Sequence, residues 1–259
     1  MLLEVKDLNI SLTSGKSVAE HISFRLGQGE MLSIVGSSGA GKTTICKAIM
    51  GLLGNAYRAD GEILFQAENL LNLPKRKRQA IYGKEICLIM QNPMTAFNPS
   101  IRVGRQLEKT YLLHYGKTPK QEMQRLFAGI LQRLGLEDTQ RILNSYPFTL
   151  SGGMLQRLMI AAALMCQPSL LVADEATTAI DACNRIGLMR ELKSFCKDGM
   201  SVLFVTHDLR SASVSDRILV MDRGRIVEQG KTEQILNTPK EDYTKYLLNA
   251  CRLERREMS

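Results

Sequence analysis

Gly36-Ser37-Ser38-Gly39-Ala40-Gly41-Lys42-Thr43 matches the pattern G-x-x-x-x-G-K-[ST] in full. An apolar run, Met31 to Val35, stands directly before it, and a stretch of helical character follows from about Gly41 to Leu52. That is the context the pattern needs: a buried strand, a tight loop, then a helix N-terminus. Glycines let backbone amides converge on phosphate oxygens, and the helix N-terminus adds favourable dipole charge. The loop Gly36, Ser37, Ser38, Gly39, Ala40, Gly41, Lys42, Thr43, with Thr44 next on the helix, is therefore a candidate phosphate cradle. Lys42 is expected to reach the β- and γ-phosphates, and Thr43 to offer its hydroxyl to Mg²⁺.

Strand and helix patterns alternate outward from this loop. Short apolar runs at Ile22–Leu26, Glu62–Phe65, Ile86–Met90, Leu170–Ala173, Ser201–Val205 and Ile218–Met221 read as strands. Arg225–Glu228 adds another, after the turn Asp222-Arg223-Gly224. Leu126, Ile130, Leu131 and Leu134 fall instead at three- and four-residue steps, as on one face of a helix. The chain thus reads as an α/β core with a helical lobe inserted at about 92 to 165. The basic stretch Lys75-Arg76-Lys77-Arg78 reads as part of a polar linker, and the tail from Thr232 as two short helices.

Leu170-Leu171-Val172-Ala173-Asp174-Glu175 is an apolar run ending in two carboxylates. A buried strand would deliver them to its C-terminal edge, where ligands gather in open α/β sheets. Asp174 is placed to hold Mg²⁺, directly or through water. Glu175 is the candidate general base for an attacking water.

Leu150-Ser151-Gly152-Gly153-Met154-Leu155-Gln156-Arg157 resembles the signature sequence of ABC ATPases, and it lies between the phosphate loop and the acidic strand as in that family. The shared motifs run in family order over roughly residues 1 to 250. The resemblance implies ATP hydrolysis with Mg²⁺ on a RecA-like P-loop NTPase core. The core would comprise 1–91 and 166–231, with a helical signature subdomain at 92–165. Together they form one ATP-binding domain over 1–250, and 232–259 is a helical tail. Gln91 resembles the glutamine that senses Mg²⁺ and nucleotide and couples to membrane subunits, which makes it both a catalytic and a metal-site candidate. Ser151, Gly152 and Gly153 resemble the residues that cap the γ-phosphate of ATP held by the opposite subunit. Thr178-Ala179-Ile180-Asp181 resembles the loop that crosses the dimer seam. His207 resembles the switch histidine that contacts the γ-phosphate, and Asp208 follows it as it often does in importers. Independently of the resemblance, Ser151-Gly152-Gly153 precedes a helical run from Leu155 to Met165, so it is expected to present bare helix N-terminal amides.

Two positions depart from the family pattern. Ala176 stands where proline usually follows the acidic pair. Leu12-Thr13-Ser14 lacks the aromatic that many members stack on adenine, so weak discrimination between ATP and GTP is expected.

A narrower likeness points to the nickel and peptide importer branch. It rests on Gln91-Asn92-Pro93, Ala96-Phe97-Asn98-Pro99, Tyr146-Pro147-Phe148 and Tyr243-Thr244-Lys245-Tyr246-Leu247-Leu248. The short chain, without a longer cysteine-bearing C-terminal extension, favours the nickel-import ATPases within the branch. That branch implies a second, unlike ABC ATPase, two transmembrane permease subunits and an extracytoplasmic solute-binding protein. The cargo reading is nickel or a metal chelate, with a di- or oligopeptide as the alternative.

Composition limits the other classes. With 259 residues, 44% hydrophobic, the chain supports a sizeable core. No run approaches the roughly 20 apolar residues of a membrane helix, and charges interrupt Met-Leu-Leu-Glu-Val-Lys too soon for a signal peptide. A peripheral place on the cytoplasmic face of the cell membrane is expected. The six cysteines show no C-x-x-C spacing, so free thiols in a reducing compartment are expected. A net charge of +8 permits an anionic partner, and a soluble ABC ATPase acting on nucleic acid or ribosomes is the alternative of another class. No aromatic interleaving or recognition helix accompanies the charge, and a solvated basic face with no nucleic acid is the expectation. A scaffold that has lost hydrolysis is disfavoured because Lys42, Gln91, Asp174, Glu175 and His207 are all present.

Overall fold

A computed structural model describes residues 1–176 and 182–257. Strands β1 (Leu3–Leu12), β2 (Ser17–Leu26) and β3 (Met31–Val35) lead into helix α1 (Lys42–Ile49). Then come β4 (Tyr57–Phe65), β5 (Glu68–Asn69), α2 (Lys75–Ile81) and β6 (Ile86–Ile89). Four helices follow: α3 (Val103–Tyr115), α4 (Lys120–Arg133), α5 (Thr139–Asn144) and α6 (Gly152–Leu164). The chain returns through β7 (Leu170–Asp174), α7 (Ala182–Lys197), β8 (Ser201–Thr206), α8 (Leu209–Ala212), β9 (Arg217–Asp222) and β10 (Arg225–Lys231). It finishes with α9 (Thr232–Asn237) and α10 (Asp242–Glu257).

The strands form two sheets. One is six-stranded, in the order β10-β9-β3-β8-β7-β6. All its neighbours pair in parallel except β10 with β9. Strands β3 and β8 are buried along their whole length, as expected of parallel strands covered on both faces. The second sheet is antiparallel, in the order β2-β1-β4-β5. A core cluster joins Leu3, Val5, Leu8 and Ile10 of this sheet to Ile45 and Ile49 of α1 and to Val172, Leu203 and Val205 of the parallel sheet. Alternate residues such as Leu171, Ala173, Val202 and Phe204 face the other way. There they share one core with Leu155, Leu158 and Ile160 of α6 and with the inserted helices. This is the period-two alternation of a strand covered on both sides. Helix α4 buries Met123, Phe127, Ile130 and Leu131; of the face expected from the sequence, Ile130, Leu131 and Leu134 are buried and Leu126 is partly buried.

Three local expectations need correction. Lys75 to Arg78 lies in a helix rather than a linker: α2 buries no residue and is held by Lys77 Nζ–Glu68 Oε1 at 2.7 Å and Arg78 Nε–Leu73 O at 2.8 Å. It has no apolar stripe, so hydrophobic periodicity could not reveal it. Strands β2 and β4 are longer than the runs Ile22–Leu26 and Glu62–Phe65, because ladder bonds to β1 recruit polar residues such as Ser17 and Arg58. The second tail helix has 16 residues instead of being short. It is supported by a third apolar cluster, which holds Val35, Leu209, Ala212, Ile218, Val220 and Ile235. Among the described residues, no helix is long and apolar enough to cross a membrane.

Candidate nucleotide site

The phosphate loop joins the C-terminal end of β3 to α1. Gly36 is there because nothing larger fits: a Cβ would come within 2.2 Å of the Met221 carbonyl oxygen of β9. Gly41 has φ +94° and caps α1 without a side chain, so no side-chain oxygen occupies the first helical amides. The Lys42 side chain folds back along the loop. Its Nζ donates to Gly36 O and to Ser37 O, each at 2.8 Å. Burial pushes the Lys42 pKa down, and the carboxylates of Glu175 and Asp174 oppose that fall.

Strand β7 brings the acidic pair to the same edge. Thr43 Oγ1 donates to Asp174 Oδ1 at 3.1 Å, across 131 residues of sequence. Burial raises the Asp174 pKa, with the Thr43 hydrogen bond working against it and the neighbouring Glu175 charge adding to it. A hydroxyl and a carboxylate in contact, one of them partly stripped of water, are hard oxygen donors that fit Mg²⁺.

Glu175 adopts φ +48°, and its amide donates to Val205 O of β8 at 2.9 Å. Its carboxylate is flanked on both oxygens. Gln91 Nε2 donates to Oε2 at 2.7 Å, and His207 Nδ1 lies 3.3 Å from Oε1. Gln91 follows β6 and His207 follows β8, so the order β3-β8-β7-β6 collects all these groups on one carboxyl edge. Glu175 thus engages the amide nitrogen of Gln91, the metal-site and catalytic candidate of the sequence. Ala176, in the place of the usual proline, is fully buried in the core shared with α6.

Ser151, Gly152 and Gly153 begin α6. The amides there are not all bare: Ser151 is the N-cap, and its Oγ accepts from Met154 N at 3.3 Å. A Cβ on Gly153 would meet nothing within 4 Å, so this helix end faces open space. The segment Thr178-Ala179-Ile180-Asp181 lies outside the described residues.

Asp208 contributes in a way its sequence position did not reveal. It caps α8 by accepting from Arg210 N at 3.0 Å, and its second oxygen accepts from Ser211 Oγ at 2.8 Å and Arg185 Nη1 at 3.1 Å. Burial works to raise its pKa, but the bonds from Ser211, Arg210 and Arg185 outweigh that and hold it below the usual carboxylate range. Asp208 therefore fixes the turn that carries His207. The polar spacing Asp208–Arg210–Ser211 is an N-cap signal, whereas the Arg185 bond has no local signature.

Residues 19–178 match the family model described as ABC transporter. The chain is 39% identical over 251 residues to the metal-staphylopine import system ATP-binding protein CntD of Staphylococcus aureus strain Mu50, covering 96% of this chain and 92% of that protein. It is 41% identical over 254 residues to the oligopeptide transport ATP-binding protein OppD of Bacillus subtilis strain 168, covering 95% and 71%. Among solved structures, it resembles a dimeric, post-hydrolysis ATP-binding cassette bound to ADP and Pi. That likeness has a TM-score of 0.78 at 26% identity and covers 89% of this chain and 99% of that one.

Proposed function

The chain belongs to the ABC transporter family and is an ATPase, and we propose that it is the motor subunit of a solute importer. One observation carries the site assignment: Thr43–Asp174 and Gln91–Glu175–His207 converge within bonding distance beside the phosphate loop. The loop from Gly36 to Thr44 holds the phosphates through backbone amides other than those of Ser37 and Ala40, which donate to Tyr243 Oη and Ser37 O, and Lys42 turns from Gly36 O and Ser37 O toward the β- and γ-oxygens. Thr43, Asp174 and Gln91 would hold Mg²⁺, which when bound neutralises phosphate charge. Water attacks the γ-phosphorus, and Glu175 accepts its proton as ADP leaves. Gln91 and His207 each fix one oxygen of that base, so the other groups need not reorganise when charge shifts.

Ser151 is exposed and Gly153 borders open space, which supports a reading in which Ser151, Gly152 and Gly153 cap ATP held by a second subunit. An unlike sister ATPase would supply the reciprocal cap. Residues 1–91 and 166–231 act in this reading as the nucleotide-binding core, 92–165 as the signature lobe and 232–259 as the tail. Two transmembrane permeases and an extracytoplasmic binding protein would complete a complex whose ATPase subunits sit on the cytoplasmic face of the membrane. Met94, 59% exposed just after Gln91, and Phe148, 67% exposed and stacked on Tyr146, offer apolar ground for a permease contact.

The cargo we propose is a small peptide, as the peptide-transport names of relatives such as the Bacillus OppD suggest. A metal chelate is the second reading, favoured by the staphylococcal metal-staphylopine relative; nickel alone is a narrower form of it. The ATPase does not touch cargo, so the test uses the reconstituted complex with its binding protein. Peptide, metal chelate and free nickel are added in turn, and ATP turnover is measured. Stimulation by chelate or nickel alone would overturn the peptide reading, and turnover without any complex or cargo response would overturn the importer reading.

A further inference from the structure

Helix α10 reaches the nucleotide site from the far end of the chain. It packs Tyr243, Leu247, Leu248 and Cys251 against the cluster that contains Val35, Leu209, Ala212, Ile218 and Val220. Val35 ends β3 immediately before the phosphate loop, and Leu209 begins α8 two residues after His207. The helix therefore lies across the roots of both the loop and the His207 turn, and it is bonded to each. Ser37 N donates to Tyr243 Oη at 3.1 Å, and Arg210 Nη2 donates to Cys251 O at 3.1 Å.

The Gly36–Ser37 peptide unit is consequently held from both sides. Tyr243 accepts from its amide, Ser37 N, and Lys42 Nζ donates to its carbonyl, Gly36 O, at 2.8 Å. When Lys42 turns toward phosphate, its hold on the carbonyl weakens while the tyrosine hold remains. A phenol on a packed helix suits this role, because its position is set by only two side-chain torsions and an apolar seat.

We propose that Tyr243 is a positioning residue for the phosphate loop, and that α10 is a strap tying that loop to the His207 turn. The proposal rests on the nucleotide-binding reading above and goes beyond it. It predicts an effect on nucleotide affinity rather than on proton transfer, since the hydroxyl meets the Ser37 amide of the loop and not Glu175.

The test is Tyr243→Phe, which deletes the hydroxyl and keeps the ring in its seat. A fluorescent ATP analogue is titrated into the purified full-length wild type and variant, and amide hydrogen exchange is followed across 36–43. Turnover is measured in the assembled complex. The expected result is a rise in nucleotide Kd and in KM of roughly three- to tenfold, the scale of one neutral hydrogen bond. Exchange at Ser37 should accelerate, while kcat and Tm stay nearly unchanged. A wild type that binds no nucleotide would sink the site assignment itself. A wild type that binds, beside a phenylalanine variant with equal affinity and equal Ser37 exchange, would overturn the strap alone. So would a Tyr243→Phe Tm that falls as far as that of Tyr243→Ala, since Tyr243 would then act only through packing.

Discussion

Replacing Glu175 with glutamine should separate ATP binding from ATP turnover. The Glu175 carboxylate receives Gln91 Nε2 at 2.7 Å on one oxygen and lies 3.3 Å from His207 Nδ1 on the other. Glutamine is nearly isosteric. It keeps one oxygen for Gln91 and presents an NH₂ in place of the other. The backbone at φ +48° costs the same for both residues. The side chain is 21% exposed, and buried Lys42 keeps the Asp174 charge and its two carbonyl acceptors when the Glu175 charge is lost. Stability should stay within about 0.5 kcal/mol of wild type. The contacts of Lys42 with the loop and of Thr43 with Asp174 are untouched, so nucleotide affinity should hold. What disappears is the proposed proton acceptor. General-base catalysis contributes roughly 10²–10⁴ in rate, which is about 3–5 kcal/mol of barrier. Phosphate release by the assembled complex should fall by that factor while the Kd of a fluorescent ATP analogue stays level. A variant whose turnover remains within about twofold of wild type would remove Glu175 from the role of base.

Lys42→Ala deletes the cation folded against the loop. Loss of charge-assisted contacts of about 1.5–3 kcal/mol should raise the nucleotide Kd by roughly 10- to 150-fold, and unchanged affinity in the same titration would refute the phosphate placement. Ser151→Arg should slow turnover about a hundredfold or more at the site whose phosphate loop belongs to the sister subunit, with nucleotide affinity at Lys42 unaltered. Full activity of that variant, linear in concentration without a partner, would exclude the shared site. Asp174→Asn should abolish turnover yet raise the Tm of the nucleotide-free chain at neutral pH. The sign follows from the raised pKa: the fold favours the protonated acid, so stability is lost as pH rises through the folded pKa, and that loss persists at neutral pH. The gain in Tm should vanish in melts at pH values below the carboxylate range; a variant less stable than wild type at neutral pH would contradict the assignment.

The parts of the site legible in the sequence are those written over short spans. Gly36 to Thr43 is a contiguous pattern whose glycines answer local constraints, the Met221 carbonyl against Gly36 and the positive φ of Gly41. Asp174 and Glu175 end a run of buried strand residues. Ile130, Leu131 and Leu134 revealed the inserted helices because one helical face is buried. Where no apolar face existed, as in α2, the reading failed. Where a ladder rather than burial extended a strand, as in β2 and β4, it fell short.

The sequence by itself determined the chemistry available: a phosphate loop, two carboxylates at a strand end, a glutamine, a histidine and a signature helix start. Only the tertiary structure decided which of these meet. Gln91 and Glu175 lie 84 positions apart, and Glu175 and His207 lie 32 apart. They touch because β6, β7 and β8 are adjacent and parallel, so their carboxyl ends share one edge. Ser37 and Tyr243, 206 positions apart, meet because an apolar cluster seats α10 beside β3. Local periodicity reports which face of an element is buried, but not which element will bury it. That partner is chosen by strand order and by the packing of whole clusters, and neither lies within any window of the chain.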